Sequence, residues 1–87
     1  MPEVHRLHYG SSKRPLAEIV PDTHWPNMWR IAWPDGRLSD MTNLSRARDV
    51  AQVIAERGPP ARDRMLLRWQ IKPLGEAATA PLVRLSA

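Results

Sequence analysis

Between residues 28 and 57 the order of apolar and polar side chains changes period once. Met28-Trp29-Arg30-Ile31-Ala32-Trp33 sets Trp29, Ile31 and Trp33 two apart, the spacing of one face of a strand. Pro34-Asp35-Gly36 follows. Proline suits the second position of a type I turn, aspartate the third, and glycine the left-handed residue of a G1 bulge. Such a loop sets Trp33 opposite Arg37, Ile31 opposite Ser39, Arg30 opposite Asp40 and Trp29 opposite Met41, with Arg30 and Asp40 as an opposite-charge pair. A two-residue Asp-Gly loop would turn Asp40 onto the apolar face beside Ile31, where an unpaired carboxylate is costly. From residue 44 the period lengthens. Leu44, Ala47, Val50, Ala51 and Ile54, with Val53 at the margin, predict a helix over about residues 44–57. Asn43 or Ser45 can cap its start. Arg57 in the last turn, Gly58 at C′ and then Pro59-Pro60 end it.

Met65 to Ile71 alternates again, with Met65, Leu67, Trp69 and Ile71 on one face and Leu66, Arg68 and Gln70 on the other. A weaker strand spans Pro15 to Val20 and is stopped by Pro21-Asp22. The predicted fold class is α+β: a small, mostly antiparallel sheet of order β-β-β-α-β packed on one helix, its other face wet. Trp29, Trp33 and Trp69 are expected in the core, because an indole buries ~150–250 Å². Residues 1–14 hold no sustained period and contain Gly10-Ser11-Ser12, so they read as a flexible N-terminal segment. Residues 73–87 are alanine-rich and broken by prolines, and read as a disordered C-terminal tail. Residues 15–72 remain as a single domain with no internal repeat.

Composition narrows the function classes. At 87 residues the chain has room for one domain. It has no cysteine, which excludes disulfides, thiolate nucleophiles and cysteine-based zinc sites. No apolar run is long enough to cross a bilayer, and the polar start lacks the apolar core of a secretory signal, so a cytoplasmic protein without a membrane partner is expected. The net charge is +4, and the basic residues other than Lys13 and Lys72 are arginines. Arginine forks suit phosphate and carboxylate, but the excess is spread along the chain and forms no polybasic arm.

The run Met28-Trp29-Arg30-Ile31-x-x-Pro34-Asp35-Gly36-x-Leu38-Ser39-Asp40-Met41-x-Asn43-Leu44-x-Arg46-Ala47-x-Asp49 resembles a group of small bacterial proteins of unknown function with the same hairpin-then-helix signature. That resemblance implies no activity. In element order the chain is also similar to plant-type AP2 and phage-integrase N-terminal DNA-binding modules, which read the major groove with a small sheet. The outer face expected here for the hairpin, Met28, Arg30, Ala32, Leu38, Asp40 and Thr42, carries a single arginine where such a sheet would carry several basic residues.

Four features carry candidate chemistry. Asn43, Ser45, Arg46 and Arg48 cluster at the expected helix N-terminus, where free N–H groups and the dipole favour an anion; pairing of Arg46 with Asp49 at i, i+3 is the plainer alternative. With Arg30 and Arg68, and help from Arg62 and Arg64, those arginines make a nucleic-acid-binding set for DNA or RNA. Trp25 lies in a loop outside any periodic pattern and is a candidate protein contact, or a lid on the edge of the core. His5, His8 and His24 do not make a ligand set, so no metal and no cofactor are expected. Asp22 and His24 could serve as an acid/base pair, but no nucleophile, phosphate-loop or dinucleotide motif is present. A domain this small is also not expected to build a cavity of ~300 Å³. The expectation is therefore a non-enzymatic interaction or adaptor module with an unknown protein partner, a homodimer through a sheet edge being one form. A nucleic-acid-binding domain is the alternative.

Overall fold

In the computed structural model, which describes residues 3–58 and 60–73, four strands and one helix follow the chain as β1 (Glu3–Tyr9), β2 (Ala17–Pro21), β3 (Trp29–Ala32), α1 (Leu44–Arg57) and β4 (Leu67–Pro73). Every strand pairing is antiparallel, in the spatial order β3-β2-β1-β4. The α+β class and the β-β-β-α-β order hold, but the strands are not all the expected ones.

The first correction is β1. Residues 3–9, expected as part of a flexible segment, form a strand inside the sheet, paired on both sides. The folded unit therefore begins well before residue 15. Val4, His5, Leu7 and His8 are all buried, on alternating faces. A strand buried on both faces shows no apolar/polar alternation, and two of its inward positions are histidines, so period-two reading passes over it. The second correction follows from the first: Val4 and His8 are buried on the face away from α1, so that face is not simply wet. The expected tail past Pro73 lies outside the described residues.

The hairpin forms at its tip and slips at its base. Gly36 has φ +95°, its N–H donates to the Trp33 carbonyl at 3.0 Å, and Trp33 N–H donates to the Arg37 carbonyl at 2.9 Å. Ser39 faces Ile31 as expected, but the Ser39 hydroxyl accepts the Ile31 N–H at 2.8 Å, in place of a carbonyl of the return arm. The arm never becomes a regular strand. It touches β3 at two bridges, Ala32 with Leu38 and Trp29 with Thr42. Trp29 thus opposes Thr42 rather than Met41, one residue out of the expected register. Arg30 pairs with Asp22, its Nε 2.7 Å from Oδ1, and not with Asp40.

The helix bounds are as expected, with Asn43 as N-cap: its Oδ1 accepts the Arg46 N–H at 2.8 Å. Gly58 does not turn left-handed. It is extended at φ −71°, ψ 155°, because the next residue is a proline, which excludes helical geometry before it. At the far end, Met65 and Leu66 lie in a single 3-10 turn, Arg64–Leu66, capped by Asp63, so the strand starts at Leu67 and Met65 is 87% exposed rather than inward.

The core lies between α1 and one sheet face. Leu7, Ala17, Ile19 and Ile31 meet Ala47, Ala51 and Ala55, with Trp29, Trp33 and Trp69 packed around them half-buried. Three alanines four apart make a smooth ridge that lets the helix lie close on β2 and β3. Of the rest of the expected apolar stripe, Leu44 packs against this core, but Val50, Val53 and Ile54 are left outside at 36%, 43% and 46% exposed.

Candidate functional site

The structure separates the arginines that the sequence grouped. Arg30 sits on β3, held by Asp22 and by the Ser39 carbonyl at 3.0 Å. Arg68 sits on the opposite edge strand, donating to the carbonyls of Gly10 at 2.6 Å and Ser12 at 3.1 Å. Arg48 turns inward, its guanidinium 4.5 Å from the Trp69 ring. Each of these three already has a structural partner. Arg62 lies 5.8 Å from the Tyr9 ring, and Arg64 reaches Glu56 at 3.7 Å.

Asn43, Ser45 and Arg46 do stay together, and they share a depression with residues that sequence reasoning assigned to the core. A shallow cleft of about 500 Å³ along α1 is lined by Asn43, Ser45, Arg46, Asp49, Val50, Val53 and Ile54. No ion pair joins Arg46 to Asp49. The outer flank of α1 therefore combines exposed aliphatic side chains with exposed charges of both signs. The signal for it was present in the sequence: the apolar arc from Leu44 through Val53 is wider than one sheet contact needs.

A second open cleft, of about 520 Å³, lies at the end of the sheet among Arg14, Pro15, Ala17, Glu18, Ala32, Trp33 and the hairpin tip. Both are open surface depressions rather than enclosed ligand cavities. Arg37 beside the second cleft is paired with Asp35 at 2.6 Å, and Glu18 with Arg6 at 2.8 Å.

Trp25 is 59% exposed on an ordered loop. Asp22 organises that loop. Its Oδ2 accepts the backbone N–H of His24 at 2.9 Å and of Trp25 at 2.8 Å, and Asn27 takes the left-handed conformation at φ 66°. The Arg30 guanidinium, with these two N–H groups, holds the Asp22 carboxyl down at about 2. Asp22 and His24 do not form an acid/base pair: the carboxylate binds the His24 backbone, and the His24 ring nitrogen Nδ1 lies 3.0 Å from the Thr23 hydroxyl.

The other histidines are structural. His5 faces α1 and His8 the opposite side, so they share no ligand site. His5 Nε2 is 3.3 Å from Glu3 Oε2, its ring meets Trp29 edge-on at 5.4 Å, and its Nδ1 is buried without a hydrogen-bond partner among the described residues. Burial, and then the Arg48 charge, push its pKa below the ordinary histidine value despite Glu3. His8 Nδ1 is 3.0 Å from the Ser12 carbonyl, so that nitrogen carries the proton and donates. Burial, followed by Arg68, lowers its pKa as well. Among the described residues no group of three or more His, Asp or Glu side chains gathers to hold a metal, and no helix is long and apolar enough to cross a membrane. The chain matches no family model, no curated protein and no solved structure.

Proposed function

We propose that this chain is a non-enzymatic protein-interaction module that docks a protein partner on the outer flank of α1. One observation carries the reading. Val50, Val53 and Ile54 form an exposed aliphatic patch beside Arg46 and Asp49, on a helix whose buried residues are three alanines. Aliphatic side chains that the fold does not need, rimmed by charges, are the ordinary composition of a docking face. The nucleic-acid alternative draws less support, since Arg30, Arg48 and Arg68 are each held within the fold. Trp25, on its tethered loop, is a second contact point consistent with the same role.

The test is photo-crosslinking in cells, with a benzophenone side chain replacing Val53. The expected result is a discrete protein adduct from position 53, resistant to nuclease, absent from position 23, and lost when Val50→Asp and Ile54→Asp are added. No adduct, an adduct unaffected by those changes, or one that nuclease removes would overturn the reading.

A further inference from the structure

We propose that α1 pairs with α1 of a second copy of this chain, antiparallel, across a two-fold axis beside Val53. This rests on the reading of the outer flank as a docking face. Residues four apart on a helix line up as ridges. One outer ridge of α1 reads Asp49, Val53, Arg57: an acid, an aliphatic and a base, all exposed. Asp49 and Arg57 stand about 12 Å apart along the axis at 1.5 Å per residue, too far to pair with each other. Neither is in an ion pair among the described residues.

An antiparallel second helix presents the same ridge reversed. Val53 then meets the second copy's Val53, Asp49 meets its Arg57, and Arg57 meets its Asp49. The adjoining ridge, Arg46, Val50 and Ile54, walls the groove that receives the incoming Val53. A parallel neighbour would set acid on acid and base on base, so the charge pattern selects the two-fold arrangement, in which each contact is made twice. The sheet edge is the poorer route to a homodimer: β4 carries Arg68 and Lys72 and ends in Pro73, residues that discourage strand addition. One helix of 14 residues offers less than the ~1,200 Å² of a stable interface, so the dimer is weak and concentration-dependent.

Sedimentation velocity over a concentration series tests this, with circular dichroism as the check on folding. The parent should shift toward dimer as concentration rises. Asp49→Arg and Arg57→Asp should each remain monomeric, and the double variant, which restores opposite charges, should dimerise again. The chain has no cysteine, so a lone introduced thiol reports without background. Val53→Cys should oxidise to a disulfide-linked dimer about tenfold or more faster than Ser45→Cys, through its higher effective concentration. A parent monomeric throughout, a double variant that stays monomeric, or equal oxidation rates would overturn the proposal. A monomeric parent whose position 53 crosslinks to a different protein removes the second copy and leaves the docking reading intact. No adduct at all removes both.

Discussion

Leu7→Ala is the sharpest test of the fold. Leu7 is fully buried in β1, opposite Ala17 on one side and Trp69 on the other, and belongs to the core cluster beneath α1. Truncating a leucine at such a site removes its transfer free energy and leaves a cavity, at a cost of about 2–5 kcal/mol. A domain this small has a total stability on the order of 5 kcal/mol, so roughly two-fifths or more of it would go. At roughly 4–8 °C per kcal/mol, the melting temperature should fall by at least ~8 °C. Leu66→Ala is the matched control: the same truncation at an exposed side chain, expected to stay within ~0.5 kcal/mol. Urea unfolding followed by circular dichroism and by tryptophan fluorescence measures both. If Leu7→Ala changes stability no more than Leu66→Ala, residues 3–9 are not a sheet strand and the central packing argument is wrong.

Four other consequences can be checked together. Ala51→Leu forces a larger side chain between helix and sheet and should cost about 1–3 kcal/mol, read as a lowered urea midpoint; a neutral result would mean that α1 does not lie close on β2 and β3. His5 and His8 both have depressed folded pKa values, so the unfolded chain binds their protons first. Stability should then be full at neutral pH, fall as pH drops below about 6.5, and level off beneath the folded values; a urea midpoint flat across that range contradicts the burial of both rings. For Asp22, stability from the ionised carboxylate should persist above about 3.8 and be lost as pH falls toward about 2. Asp22→Asn should accelerate amide exchange at His24 and Trp25 while leaving core strand amides protected, and unchanged exchange at those two would refute its role in the loop.

What could be read from the sequence was what is determined locally. The turn at Pro34-Asp35-Gly36 needs a left-handed glycine and a helix cap needs only the backbone three residues on, so the turn is legible and Asn43 is one of the two caps that the sequence offers. What failed depended on strand pairings that no local pattern announces. β1 is a strand because β2 and β4 flank it, and its pattern Val-His-Arg-Leu-His-Tyr carries no alternation to announce that. Arg30 chose Asp22 over Asp40 because a loop eight residues earlier brings that carboxylate to the strand. The candidate site was half legible. Asn43, Ser45 and Arg46 were picked out by their place at the helix start. Val50, Val53 and Ile54 were read as core because apolar periodicity says a helix has an apolar side, not how much of it a neighbour will cover.

The most direct test of the docking face is a photo-crosslinking scan along α1 in cells, one position at a time. The outer flank predicts adducts at 46, 49, 50, 53, 54 and 57 and none at 48, 52 or 56, a footprint with helical period. Labelling without that period, or centred on the Gln52 side that faces Trp69, would contradict it.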